Sequence, residues 1–216
     1  MWLLDESYAC VFQLDGRAAY RSIVGHCIGD VVQSFRPALV KAQQKILWRR
    51  APEEDGIVVL NTPDIDRITK FYTSVLGFRI SDWSGQQMVF LRTDSKHHNI
   101  SFNVAPHASV NHVAYLVSGI DQIMMGISNL RKHGFQPVWG PGRHGPGNNI
   151  FCYYEDPVGY ITEYTSDIDY VTDDAKHQPK VWPRGPESMD RWGVAAPPTP
   201  ELRRAMTGEP DNGWVR

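Results

Sequence analysis

The chain has 216 residues, a formal net charge of −2, and hydrophobic and charged fractions of 42% and 21%. These values suit one ordinary globular domain plus extensions, and with no basic block they give no reason to expect nucleic-acid binding. Three widely spaced cysteines, Cys10, Cys27 and Cys152, with no CxxC fit a reducing compartment better than a disulfide framework; the opening MWLLDESYACVFQLDGR reads as neither signal peptide nor membrane span, so a cytoplasmic chain is expected.

Residues 1–55 carry weak signals and read as an N-terminal extension, with a strand at Tyr8–Leu14, a helix at Pro37–Arg50 and a linker at 51–56. The pattern sharpens at Gly56. Ile57–Leu60 is a short apolar strand, and Thr62-Pro63-Asp64 a helix start with Thr62 as N-cap. Ile65, Ile68, Phe71, Tyr72 and Val75 then recur at helical spacing until Gly77. Phe78–Trp83, Met88–Arg92 and Ile100–Val104 follow as strands. The same β-α-β-β-β order repeats. A strand at His112–Val117 and a helix at Ile120–Lys132 precede strands at Phe135–Trp139, Asn149–Tyr154 and Tyr160–Thr165. Ile65-Asp66 matches Ile120-Asp121, Ile68 matches Ile123, and Gly77-Phe78 matches Gly134-Phe135. The reading is an α+β fold of two paired modules over 56–171, sharing either a central cavity or simply a core. Residues 172–216 hold seven of the fifteen prolines and three of the seven tryptophans; this segment reads as an irregular tail lying across the domain.

The chemistry gathers in GPGRHGPGNNIFCYYEDPVGYITEY, residues 140–164. Asp156-Pro157-Val158-Gly159 has turn composition between two strands. Alternation puts Phe151 and Tyr153 on one face of the first strand, and Ile161 and Glu163 on one face of the second. A carboxylate held among apolar residues needs a partner, a proton or a metal. The repeat aligns Ile57 with His112, and Glu163 roughly with Phe102. His112 with Glu163 is a donor pair suited to Fe(II), Mn(II) or Zn(II). Taken singly, a strand histidine such as His112 is more often a hydrogen-bonded core residue. His98 of the His97-His98 pair could be a solvated surface residue, His144 a turn residue and Tyr153 core filler.

NTPDID-x4-FY-x3-LGFR, KHHNISF, NHVAYLV, GPGRHG and DPVG-x3-E together resemble the vicinal oxygen chelate superfamily. More narrowly, they resemble the C-terminal catalytic domain of type I extradiol ring-cleaving dioxygenases. DRWG in the tail is similar to the homoprotocatechuate branch. The resemblance covers about Gly56–Val171. It implies paired βαβββ modules, a non-haem Fe(II) or Mn(II) ion, O2 and an aromatic diol as partners, and a homo-oligomer. It assigns His112 and Glu163 to the metal, His98 to acid/base work, His144 to a hydrogen bond with the bound diol, and Tyr153 to orienting a substrate oxygen. Trp139, Asn148, Arg191 and Trp192 are the expected substrate contacts. The resemblance places a metal-binding histidine at position 57, where this chain has Ile57. Trp139, Ser188 and Met189 occupy positions where the homoprotocatechuate branch uses cations, so a hydrophobic catechol or polyphenol is expected. The rivals are a metal-poor hydrolase, isomerase or lyase acting on an aromatic compound, and a non-catalytic aromatic-ligand-binding protein.

Overall fold

A computed structural model describes residues 54–211. The strand and helix expected before residue 51 lie outside the described residues.

Among the described residues, nine strands form one sheet in the order β6-β7-β8-β5-β1-β4-β3-β2-β9. The first module comprises β1 (Glu54–Thr62), α1 (Ile65–Ser74), β2 (Arg79–Ser84), β3 (Met88–Arg92) and β4 (Ile100–Val104). The second comprises β5 (Ser109–Leu116), α2 (Ile120–Lys132), β6 (Trp139–Arg143), β7 (Ile150–Glu155) and β8 (Ile161–Ser166). The modules join through antiparallel β1 and β5, where Ile57 pairs with Ala114 and Val59 with His112. Within the modules, β1 runs parallel to β4 and β5 runs parallel to β8. The expected duplicated α+β architecture is therefore present. β1 begins at Glu54, inside the segment read as a linker.

Helix phase and strand alternation decide which face is buried against what. Ile65, Ile68 and Tyr72 of α1 pack on Phe78, Leu91 and Phe102. Ile123, Ile127 and Leu130 of α2 pack on Ile150, Cys152, Tyr154 and Tyr164. Both helices cover one face of the sheet. Side chains of the opposite phase, including Tyr153 and Glu163, line a cavity on the other.

Three local expectations change. The N-cap of α1 is Asp64, whose side chain accepts from Arg67 N at 3.0 Å. Thr62 stays in β1, and its hydroxyl oxygen accepts from Asp64 N. The strand expected at Phe135–Trp139 lies instead at Trp139–Arg143, within the Gly/Pro-rich run itself. That strand is the sheet edge, where a proline breaks no continuing ladder. A side chain at Gly142 would place its Cβ 2.5 Å from the Phe151 ring, so the pairing requires glycine there. The counterpart of Glu163 is Ser101, not Phe102: Val59 pairs with Ser101 as Ala114 pairs with Glu163. Phe102 lies one residue out of phase and faces Tyr72 of α1.

Residues 172–211 of the tail carry three short elements joined by irregular segments. β9 (Lys180–Trp182) adds parallel to β2, α3 (Pro186–Met189) follows, and α4 (Pro200–Thr207) is capped by Thr199. Leu202 of α4 is buried with Phe151, Tyr153 and Ile161. Asn61 Nδ2 donates to Met206 O and Ser109 Oγ to Thr207 O. The tail thus crosses the cavity face from the edge of one module to the other. No helix among the described residues is long and apolar enough to cross a membrane.

Candidate active site

A cavity of about 370 Å³ opens on the face opposite α1 and α2. β1 contributes Ile57 and Val59, β3 Met88 and Phe90, β5 His112, β7 Tyr153 and β8 Glu163; His98 and His144 enter from loops. The tail supplies Arg184, Met189, Pro198 and Arg203 among the remaining walls.

His112 and Glu163 are both buried, with His112 Nε2 and Glu163 Oε2 3.2 Å apart. A chain of amides fixes which imidazole nitrogen faces the carboxylate. Asn61 Nδ2 donates to the Met206 carbonyl, which can only accept. Asn61 Oδ1 therefore accepts from Asn111 Nδ2 at 2.9 Å. Asn111 Oδ1 then accepts from His112 Nδ1 at 2.7 Å. In neutral His112 the Nε2 lone pair consequently points at a carboxylate oxygen. Two acceptors so placed call for a proton or a cation between them. Asn149 Nδ2 holds the other carboxylate oxygen at 3.3 Å.

The donor pair suits a divalent ion with imidazole and carboxylate ligands. The third corner does not. Ile57, related to His112 by the module symmetry, is buried among Val59, Ala114 and Ile168. Among the described residues no three His, Cys, Asp or Glu side chains converge on one point. Of the other histidines, His97 is bonded to Asp82 and His98, His107 donates to Gly208 O, and His26 lies outside the described residues.

His144 and Tyr153 form a second polar group. His144 Nδ1 donates to the Met189 carbonyl at 2.9 Å, leaving Nε2 to accept from the Tyr153 hydroxyl at 3.1 Å. The Glu163 carboxylate acts on the same phenol through its charge. Burial, reinforced by the Glu163 charge, holds the Tyr153 phenol well above its ordinary pKa. Burial lowers the His144 pKa, against the opposing pull of Glu163 and the Met189 carbonyl. The His144 ring stacks on Phe151 with centroids 4.0 Å apart.

His98 is buried, not solvated. Its Nδ1 lies 2.9 Å from His97 Nδ1, and its ring meets Phe90 edge-on. Burial, with His97, His144 and His112 adding to it, holds the His98 pKa well below its ordinary value. At neutral pH His98 is therefore a neutral imidazole at the cavity wall.

The expected substrate contacts divide. Trp139 lines the cavity beside Tyr153, anchored by its indole N–H to Ala196 O. Asn148, Arg191 and Trp192 stand outside it. Arg191 donates to Asn148 Oδ1, and Trp192 stacks beneath the Arg143 guanidinium. Asp190 organises this region, accepting backbone N–H bonds from Arg143, Trp192, Val194 and Ala195. Sequence reasoning missed Asp82, Asn111, Asn149, Arg184 and Arg203. Asn111 and Asn149 carried the one usable signal, since Asn111 precedes His112 in β5 and Asn149 immediately precedes β7, which bears Tyr153. For the arginines, distance along the chain hid the approach.

Residues 56–164 match the Glyoxalase/Bleomycin resistance protein/Dioxygenase superfamily, and the chain belongs to that family. Among named proteins it is 34% identical over 169 residues to metapyrocatechase 2 of Cupriavidus necator, covering 75% of this chain and 50% of that protein. It is 27% identical over 118 residues to biphenyl-2,3-diol 1,2-dioxygenase of Paraburkholderia xenovorans (strain LB400), covering 50% and 39%. Among solved structures, the Mn(II)-bound glyoxalase from Novosphingobium aromaticivorans superposes with a TM-score of 0.69 at 40% identity, over 75% of this chain and 52% of that one. The substrate complex of homoprotocatechuate 2,3-dioxygenase from Brevibacterium fuscum superposes with a TM-score of 0.60 at 22% identity, over 68% and 47%, and shares the fold. The chain spans about half the length of the relatives it matches.

Proposed function

We propose that this chain carries an extradiol-type ring-cleaving dioxygenase site for a hydrophobic catechol or polyphenol, with its metal position reduced to His112 and Glu163. The observation that carries this reading is the meeting of His98, His144 and Tyr153 with the His112–Glu163 pair in one cavity. Relatives named metapyrocatechase 2 and biphenyl-2,3-diol 1,2-dioxygenase support it.

Each residue has a task its surroundings allow. Neutral His98 accepts a proton from one hydroxyl of the diol. Tyr153, kept protonated, donates to the resulting oxygen, and His144 fixes the direction of that hydroxyl. Phe90, Trp139 and Met88 give the aromatic ring apolar walls and limit water. An Fe(II) or Mn(II) ion held by His112 and Glu163 would supply positive charge for the ionised diol.

The test is oxygen uptake with a panel of catechols after anaerobic loading with Fe(II) or Mn(II). Uncharged 3-phenylcatechol should be consumed faster than 3,4-dihydroxyphenylacetate. Faster consumption of the acid would give Arg184 and Arg203 a carboxylate-binding role and overturn the hydrophobic preference. Ile57 favours a second reading, a metal-independent proton transfer on the same ligand by an isomerase, lyase or hydrolase. Product formation without oxygen uptake would select it.

A further inference from the structure

We propose that Asp82 and His97 are positioning residues that act through His98, turning its Nε2 lone pair to the cavity and receiving the proton that His98 takes from a bound diol. The proposal rests on the proton-accepting role given to His98 above. Its geometry stands in the resting protein, whatever the substrate.

The three side chains form a buried line. Asp82, His97 and His98 are 5%, 4% and 5% exposed. His97 Nε2 lies 3.1 Å from Asp82 Oδ2, and His97 Nδ1 lies 2.9 Å from His98 Nδ1. The carboxylate is itself clamped. Its Oδ2 accepts from Trp182 Nε1 and its Oδ1 from Lys180 N, both at 2.7 Å and both from β9. Burial opposes ionisation of Asp82, but the bonds from His97, Lys180 and Trp182 outweigh it and hold the carboxyl below its ordinary pKa.

Proton accounting fixes the tautomers. An ionised carboxylate only accepts, so His97 carries its proton on Nε2. The relay assigns His97 the neutral state, in which Nδ1 is an acceptor and the 2.9 Å contact has His98 donating from Nδ1. Neutral His98 is left with its free lone pair on Nε2. When a diol O–H bond breaks and an Nε2–H bond forms, the Nδ1 proton of His98 can pass to His97 Nδ1. His98 is again neutral, now with Nε2–H facing the ligand, and the positive charge rests on His97 beside Asp82. One residue thus takes a proton as a base and is reset to return one as an acid.

The packing around the line keeps it closed. His97 N is tied to Asp169 O at 2.8 Å. Gly147, at φ +74°, lies over the two rings; a Cβ there would sit 2.9 Å from His98 Cε1 and 3.1 Å from His97 Nδ1. A pair of histidines that merely filled the core would share the contacts, but its tautomers would have no bearing on turnover.

The test is a long-range ¹H–¹⁵N imidazole spectrum of the full chain, ¹⁵N-labelled at histidine, without metal or substrate, with His98→Gln used for assignment. The expected wild-type result is His98 protonated on Nδ1 and His97 on Nε2. His97→Phe should move the His98 proton to Nε2 and lower kcat for the diol about 100-fold, with KM changed less than about threefold. Asp82→Glu should recover more rate than Asp82→Asn. A wild-type His98 protonated on Nε2 overturns the proposal, and the spectrum alone decides this if a variant fails to fold. Unchanged kcat in a folded His97→Phe protein also overturns it. Lack of turnover with every diol would sink the proposed activity while leaving the tautomer result to decide the relay.

Discussion

The two modules share a backbone plan and differ in chemistry. At three symmetry-related positions the second module has His112, Glu163 and Tyr153, where the first has Ile57, Ser101 and Phe90. The apolar partners of α1 and α2 repeat, because both helices must bury a face against strands of the same pitch. The polar residues do not repeat. Each buried charge needs its own compensating partners: Glu163 has Asn149 in the second module, beside His112 and Tyr153 held by Asn111 and His144, whereas Asp82 in the first has His97 and two donors from β9. Duplication fixes the frame; the asymmetric set decides what the cavity can hold.

The comparison can be broken first through the tail, whose α4 packs on the second module and whose β9 pairs with the first. Leu202→Ala removes a buried side chain packed on Phe151, Tyr153 and Ile161, and should destabilise by about 2–4 kcal/mol in urea unfolding. Val181→Ala in β9, at 69% exposure, should shift stability by less than about 0.5 kcal/mol. Equal effects would show that the tail does not discriminate between the modules.

Tyr153→Phe makes the second module resemble the first, which has Phe90. Loss of the hydroxyl should weaken binding of 3-phenylcatechol about 10–100-fold by calorimetry, with the fold retained.

The pH dependence sharpens the same contrast. His98 and His144 have folded-state pKa values below their unfolded ones. Their contribution to stability is complete above the unfolded value, about 6.5, and is lost as pH falls. Asp82 and Asp190, also lowered, add a second loss below the ordinary carboxylate range, about pH 4. Unfolding free energy should therefore fall from about pH 6.5 downward, and His98→Phe should flatten the upper part of that limb. A curve flat to pH 4 would refute the buried, neutral histidines.

A small effect is expected at Ser101, the counterpart of Glu163. Its hydroxyl is buried with no hydrogen-bond partner among the described residues. Ser101→Ala should be neutral or stabilising, by at most about 1 kcal/mol in the same unfolding assay.

Much of this arrangement is legible in the sequence. Ile65, Ile68 and Tyr72 announce α1 by spacing, and Ile123, Ile127 and Leu130 announce α2, because these residues share one face of a helix. The Asp156–Gly159 turn and the pairing of faces within each strand, Phe151 with Tyr153 and Ile161 with Glu163, follow from composition and alternation; the register then puts all four on one face. Register was less accessible. Phe102 and Ser101 differ by one position, and one position in a strand reverses the face. The strand within Gly140–Arg143 was hidden because its residues are poor strand formers, tolerated only at an edge beside the Phe151 ring. Nothing local marks Asp82: its partner Trp182 is 100 residues away, and the contact exists only once β9 has docked on β2. The same long return of the chain brings Arg184 and Arg203 to the cavity.

The most direct test of the central claim is metal retention after anaerobic loading with Fe(II) or Mn(II) and desalting, on the wild type and on Ile57→His. With only His112 and Glu163 as ligands, the wild type should keep far less than about one ion per chain, and Ile57→His should keep about one. Near-stoichiometric metal in the wild type, or an Ile57→His protein that stays empty, would contradict the account.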